Sequence, residues 1–104
     1  GHAMNAQRFD PNDSDAIVCP TRTEGLLVGS FSVSPGTSAW GALELEVVYR
    51  NGQGDWTAYP GVSSLTASAR SSGRLDVSWF DEIALRITTV EGTSRIYLAE
   101  FSGK

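Results

Sequence analysis

The chain has 104 residues, of which 40% are hydrophobic and 19% charged, and this composition is typical of one globular domain with a single core. No apolar run approaches the length that crosses a bilayer. The net charge of −4, with scattered arginines, argues against a nucleic-acid-binding surface. The only histidine is His2, and Cys19 is the only cysteine. We therefore expect a non-enzymatic protein with no catalytic residues, no cofactor, no disulfide, and no metal site built from histidine or thiolate.

The N-terminus divides into three parts by composition. Residues 1–4, GHAM, are typical of a purification-tag remnant. Residues 5–14 are mostly polar, so we expect a flexible N-terminal arm in which Phe9 is the one apolar anchor. Residues 15–104 then form a single β-domain.

The arm runs into a short polar sequence that is rich in oxygen ligands. This sequence is DPNDSD, with Asp10, Asn12, Asp13 and Asp15. Such side chains suit a hard cation, but the stretch lacks the glycine and the closing glutamate of an EF-hand loop. Asx residues beside proline commonly form turns. We favour a turn, and cation binding stays open as the alternative.

From residue 15 onward, apolar and polar residues alternate as they do in half-buried strands. The expected strand segments are 15–20, 25–33, 42–50, 63–69, 74–80, 82–90 and 94–101. Turn sequences separate them at short intervals, including SPGTS, NGQG, YPG and SSG. The predicted fold is an antiparallel β-sandwich, or a small jelly-roll-like domain, of about seven to eight strands.

The strand faces indicate the core and one carboxylate pair. In 42–50, one face carries Leu43, Leu45, Val47 and Tyr49, and the other carries Glu44 and Glu46. Two such carboxylates lie about 6–7 Å apart. They are the nearest match to a glycosidase acid/base pair, although a solvated strand face is the simpler interpretation. In RLDVSWF, the alternation assigns Trp79 to the core with Leu75 and Val77.

The final predicted strand, SRIYLAEF, has apolar residues on both faces. One face carries Ile96 and Leu98, and the other carries Tyr97, Ala99 and Phe101. This pattern is typical of a strand that is covered on both sides or lies at an oligomer contact. We expect the Tyr97/Phe101 face, with Phe9 of the arm, to pack on neighbouring subunits.

The sequence NGQGDWTAYPG, residues 51–61, combines a glycine-rich turn with aromatic residues. NGQG predicts a hairpin turn, after which Trp56 packs back onto the sheet and Tyr59, on the opposite face, offers an exposed contact. As an alternative, Trp56, Tyr59 and Trp40 form a platform that stacks on sugar rings, and the protein is a carbohydrate-binding module.

Two stretches resemble small β-sandwich modules of tailed-bacteriophage virion proteins. They are GALELEVVYRNGQGDWTAYPG and GRLDVSWFDEIALRITTVEGTSRIYLAEF, which lie within residues 41–101. In such modules a strand that ends in an aromatic residue runs into a glycine-rich turn and a tryptophan, here Trp56. A later strand pair corresponds here to residues 75–88. Trp79 departs from the pattern, where a small residue is expected.

The resemblance implies a head decoration, neck or tail-associated protein without shared catalytic residues. Its partners are then other virion proteins, with a homo-oligomer expected and with neither nucleic acid nor membrane as a ligand. The resemblance places the protein in the virion after synthesis in the bacterial cytoplasm. A glycan is a ligand only under the carbohydrate-binding alternative.

Overall fold

The computed structural model describes residues 2–12, 14–35, 42–66, 71–91 and 96–103. These residues form nine β-strands and no helix. The strands are β1 His2–Phe9, β2 Ile17–Arg22, β3 Val28–Pro35, β4 Ala42–Arg50, β5 Thr57–Ala58, β6 Leu65–Thr66, β7 Ser71–Asp76, β8 Glu82–Glu91 and β9 Tyr97–Gly103. None of the described residues belongs to a helix that is long and apolar enough to cross a membrane.

The strands make two antiparallel sheets that face each other. The first sheet has the order β1-β9-β3-β7, and the second has the order β2-β8-β4-β5, with β6 also paired to β4. Each of the first four strands lies in the sheet opposite to its predecessor, and the resulting order is that of a jelly roll. The predicted all-β sandwich is therefore confirmed. The strand count exceeds the expected seven to eight because β1 is an additional strand, whereas β5 is the return strand of the predicted hairpin and β6 lies within the expected segment 63–69.

The core lies between the sheets and follows the predicted alternation. Leu43, Leu45 and Val47 of β4 are buried against Ile83 and Leu85 of β8. Since successive side chains of a strand point to opposite faces, the intervening residues of β4 and β8 lie on the outer face of the second sheet.

The expectation of a flexible arm at residues 5–14 is wrong for its first half, since β1 pairs with β9 from His2↔Gly103 to Phe9↔Tyr97. Phe9 is 4% exposed, and its ring stacks on Tyr97 with centroids 5.8 Å apart. The polar residues of β1 that precede Phe9 have structural roles. Asn5 Nδ2 donates to the carbonyl of Pro20 at 2.9 Å, and Gln7 Oε1 accepts from the amide of Cys19 at 2.7 Å. These bonds join the edge strands of the two sheets.

Cys19 lies at an irregularity of β2, the edge strand that these hydrogen bonds join to β1. Val18 pairs with Leu85 and Thr21 with Ile83, so β2 contains one more residue than β8 and forms a bulge. Cys19 adopts a φ of 55°, which is rare for a residue with a side chain. Its Sγ lies 3.6 Å from the carbonyl oxygens of Asn5 and Ala99. Burial raises the pKa of the Cys19 thiol.

The predicted subunit contact at Phe9, Tyr97 and Phe101 is also corrected. All three side chains are buried in the core of the single chain. The reason is the position of β9, which lies between β1 and β3 in the first sheet, so that its Tyr97/Phe101 face points at the second sheet. The outward face is the other one, where Ile96 is 41% exposed just before the strand.

Candidate functional site

The glycine-rich sequence after β4 forms the predicted hairpin turn. β4 ends at Arg50 and β5 begins at Thr57. Gly54 donates its N–H to the carbonyl of Asn51 at 3.0 Å, and Gly52 has a φ of 56°, which glycine adopts without strain. NGQG is therefore a structural signal, as predicted.

Trp56 packs back onto the outer face of the second sheet, which confirms that prediction. The Arg50 guanidinium carbon lies 4.4 Å from the Trp56 ring centroid, in cation–π geometry. The Trp56 carbonyl accepts a hydrogen bond from Arg86 Nη1 at 3.2 Å. One face of this half-buried ring is thus occupied by the chain's own arginine.

Ion pairs cover the same outer face on both sides of Trp56. Arg50 Nε lies 2.9 Å from Glu82 Oε1, and Arg86 Nε donates to Glu46 Oε1 at 2.7 Å. The carboxylate of Glu46 is consequently held by an arginine, and the strand face carries a paired, half-buried charge network. Val48, on the same face as Glu46, is fully buried beneath this cover.

Tyr59 lies on the opposite side of the return strand, but it is half-buried, and its ring belongs to an aromatic group. Its hydroxyl donates to the carbonyl of Asp76 at 2.9 Å, which joins the edges of the two sheets. The predicted exposed contact is therefore mostly a packing residue. Because Trp56 and Tyr59 face opposite ways, they do not form a shared platform. Trp40, the third residue of the proposed glycan site, lies outside the described residues.

Trp79, which the alternation assigned to the core, is 44% exposed, and that assignment is wrong. β7 ends at Asp76, because Asp76 Oδ1 accepts hydrogen bonds from the backbone N–H of Ser78 at 2.9 Å and from its hydroxyl at 2.6 Å. These bonds lower the pKa of the Asp76 carboxyl and turn the chain before Trp79. Phe80, 5% exposed, takes the core position instead.

Trp79 rests on three other aromatic rings, and we call Tyr49, Tyr59, Trp79 and Phe80 the aromatic cluster. The Trp79 centroid lies 4.7 Å from that of Tyr49, 5.0 Å from that of Phe80 and 5.8 Å from that of Tyr59. The contacts with Tyr49 and Phe80 are edge-to-face and the contact with Tyr59 is tilted, and together they fix the orientation of the ring. The exposed part of Trp79 is thus held in place by packing from below.

Three chain connections meet around the aromatic cluster, and they are residues 23–27, 51–56 and 77–81. We call this end of the sandwich the loop end. Asp81 fastens the three together. Its Oδ2 accepts from the N–H of Gly52 at 2.7 Å, its carbonyl from the N–H of Thr23 at 2.9 Å, and its own N–H donates to the carbonyl of Arg50 at 3.3 Å.

The loop end also carries a groove of about 260 Å³ between residues 23–27 and 77–81. Leu27 lies on its wall and is 66% exposed. The carbonyl of Leu27 accepts from the N–H of Val77 at 3.1 Å, which joins the two walls. Trp79 and Leu27 are exposed apolar side chains at one end of the molecule, and the strand pattern did not identify either of them as a surface residue.

The outer face of the first sheet is different in character. A shallow depression of about 320 Å³ is lined by Ser30, Ser32, Ser72, Arg74, Glu100 and Ser102. One cation and one anion lie among hydroxyl groups, so this depression is polar and without excess charge.

The described residues of the DPNDSD sequence, 10–12 and 14–15, form the predicted turn. Asp10 Oδ1 accepts from the N–H of Asn12 at 2.9 Å, and the Asp10 carbonyl accepts from the N–H of Ser14 at 2.9 Å. Asp13 lies outside the described residues. Within the part of the chain that the structure describes, no group of three or more His, Cys, Asp or Glu residues is arranged to hold a metal ion.

Comparisons with known proteins place the fold. No protein-family model matches the sequence, and neither does any curated protein. Among solved structures, the chain is similar to the crystal structure of the SPBc2 prophage-derived protein YomS, with a TM-score of 0.60 and 11% sequence identity. The superposition covers 98% of this chain and 97% of that one. At this identity the likeness shows a shared fold, and it extends over nearly the whole of both chains.

Proposed function

We propose that the protein is a non-enzymatic structural module of a bacteriophage or prophage particle, which acts by assembling with other virion proteins. The observation that carries the proposal is the likeness of fold to a prophage-derived protein across nearly all of both chains. The resemblance of residues 41–101 to tailed-phage virion modules points in the same direction. Under this proposal the protein is synthesised in the bacterial cytoplasm and ends in the virion.

The surface of the sandwich supports an assembly role rather than chemistry. On the outer face of the second sheet, Glu46 and Glu82 are each held in an ion pair with an arginine of the chain itself. At the loop end, by contrast, Trp79 and Leu27 expose apolar surface on a backbone that hydrogen bonds hold in place. Rigid, exposed aromatic residues are typical anchors of protein contacts.

An assembly contact would cover a large share of the surface of this small chain. A specific interface buries about 800 Å² on each partner. The chain exposes 5634 Å² in all, so one such contact covers roughly a seventh of its surface.

The decisive experiment is to look for the protein in purified particles. Phage particles induced from the source bacterium are banded by density centrifugation and analysed by quantitative mass spectrometry. We expect the chain to band with the particles at a fixed copy number relative to the major capsid protein, while an abundant cytosolic protein is depleted as the control. Recovery of the chain only in the soluble lysate would overturn the proposal.

The homo-oligomer is a separate part of the proposal with a separate test. Light scattering on the purified chain, at high micromolar concentration and physiological salt, is expected to give a mass that is a small multiple of 11.1 kDa. A monomeric mass would remove self-assembly and leave assembly with other virion proteins as the proposed role.

Carbohydrate binding is the second candidate function, and the exposure of Trp79 favours it. A ring held edge-on by neighbouring aromatic residues can stack on a sugar. This candidate predicts that Trp79→Ala abolishes binding on a glycan array, whereas Trp56→Ala, whose ring is occupied by Arg50, does not. Absence of glycan binding by the parent chain would eliminate it.

A further inference from the structure

We propose that the loop end is a docking surface for a basic protein segment, and that the groove beside Trp79 accepts an arginine or lysine side chain of that partner. The inference deepens the proposed function by naming the chemistry of the partner, and it rests on that function only for the identification of the partner as a virion protein. Charge, shape and the position of Trp79 each contribute to it.

The loop end carries an excess of negative charge. Its three connections contain Glu24, Asp55 and Asp81, and the cations that flank them are Arg22, which also lines the groove, and Arg50. Asp76, just before the turn, is exposed as well. A surface with clustered charge of one sign attracts and orients a partner of the opposite sign.

The two arginines nearest to the loop end do not cancel this charge. Arg50 is committed to Glu82 at 2.9 Å on the outer face of the second sheet. Arg22 bonds Glu24 at 2.8 Å, but both side chains are about 70% exposed, and an exposed pair of this kind contributes little. A cation supplied by a partner can therefore take the place of Arg22 beside Glu24 at little cost.

The shape of the groove fits a long cationic side chain. Its apolar lining comes from Leu26, Leu27 and Phe80. Its charged lining residues are Glu24, Asp81 and Arg22, and Arg22 is paired with Glu24. Arginine and lysine have an apolar stem that ends in a charged group, so the stem can lie on the apolar lining while the head reaches a carboxylate. An acidic or purely apolar side chain satisfies only one of these two surfaces.

Trp79 gives the surface its anchor. The exposed part of its ring lies on the turn that forms one wall of the groove, where a partner's arginine or apolar side chain can stack on it. A two-fold contact of the loop end with itself would bring the carboxylates of two copies together. The charge therefore favours a different, basic protein over a second copy in that arrangement.

The test uses the full chain and a defined probe. The peptide acetyl-Gly-Leu-Arg-Gly-Arg-Leu-Gly-amide is titrated into the ¹⁵N-labelled protein, and a second peptide carries citrulline, a neutral isostere, in place of each arginine. We expect shifts of the amide signals of residues 23–27 and 77–81 and of the Trp79 indole N–H. The arginine peptide should bind about tenfold more tightly than the citrulline peptide, and it should weaken as salt rises.

Matched variants localise the effect. Trp79→Ala should raise the Kd of the arginine peptide about tenfold or more, and Glu24→Gln about two- to fivefold. Ile96→Ala and Asp15→Asn change a similarly exposed apolar residue and a carboxylate at the opposite end, and each should alter the Kd less than twofold. Because Glu24 is an exposed side chain, its variant tests the proposal even if Trp79→Ala does not fold.

Equal binding of the two peptides, or shifts confined to other surfaces, would overturn the inference. Its failure is distinguishable from that of the proposed function. If the chain bands with particles but the peptide does not bind the loop end, the virion role stands and the basic partner is wrong. If the peptide binds there but the chain is absent from particles, the basic partner stands and the virion role is wrong.

Discussion

Phe9→Ala tests the largest difference between the sequence pattern and the structure, which is the conversion of the expected arm into β1. If residues 5–9 were a flexible arm, removing the Phe9 ring would change the stability of the domain very little. If β1 is part of the first sheet, the same substitution removes a core side chain that is 4% exposed.

The expected cost follows from the contacts of the ring. Complete burial of a phenylalanine side chain contributes about 1.5–3 kcal/mol through the hydrophobic effect. The stacked pair with Tyr97, at 5.8 Å, adds about 0.5–1.5 kcal/mol. A partly collapsed cavity accounts for the rest, so we expect a loss of about 3–5 kcal/mol in the free energy of unfolding.

Urea unfolding followed by tryptophan fluorescence measures this loss, and a thermal scan should show a melting temperature lower by at least about 12 °C. Arg8→Ala is the matched control, since Arg8 is the neighbouring residue of β1 on the exposed face, and it should stay within about 0.5 kcal/mol of the parent chain. A loss below about 1 kcal/mol for Phe9→Ala would refute the docking of β1 and restore the flexible arm.

Three further predictions concern residues outside that strand. Trp56→Ala removes a half-buried ring that lies on Arg50, so we expect a loss of about 1–2 kcal/mol in urea unfolding, and a loss above about 3 kcal/mol would place the ring in the core. Burial raises the pKa of the Cys19 thiol, so its contribution to stability is complete below the unfolded pKa of about 8.5 and is lost as the pH rises through the folded pKa. The parent chain should therefore lose stability between pH 8 and 10 more steeply than Cys19→Ala, and parallel profiles would contradict the burial of the thiol. Asp81→Ala removes the acceptor of the Gly52 N–H, so we expect a loss of about 0.5–1.5 kcal/mol and faster amide exchange at Gly52, with unchanged exchange counting against the role of Asp81 in joining the loops.

The sequence was sufficient to predict the central strands β4 and β8, because their alternating pattern has a single physical cause. β4 and β8 each have one face against the opposite sheet and one face in contact with charged side chains, so apolar and polar residues alternate along most of each strand, with Val48 and Ala84 as buried apolar residues on the outer face. The same holds for the turn after β4, where a left-handed backbone at Gly52 requires the residue type that marks it.

β1 escaped prediction because its polar residues look like those of a solvated arm. Asn5 and Gln7 are polar because they bind the backbone of the β2 bulge, where Cys19 and Pro20 interrupt the ladder. Composition alone does not reveal a side chain that satisfies the backbone of a strand distant in sequence. Only the pairing of β1 with β9, at the other end of the chain, makes these polar residues part of the sandwich.

The sequence pattern assigned Trp79 to the core wrongly for a related reason. β7 ends at Asp76, which is earlier than the alternation in RLDVSWF indicates. The signal that was present is the spacing of Asp76 and Ser78, an Asx-type pair that turns a chain by hydrogen bonds to its own backbone. Given that turn, the pattern of core positions restarts at Phe80.

The consequence of this shift bears directly on function. Trp79 and Phe80 are adjacent in sequence, yet one ring faces solvent and the other completes the core. The aromatic cluster therefore joins the stability of the sandwich to the shape of its loop end: Tyr49 and Phe80 hold the tryptophan from below, and Asp81 fixes the turn that carries it. A surface that must present an aromatic residue to a partner gains from such support, because the ordering of the side chain is completed on folding rather than on binding.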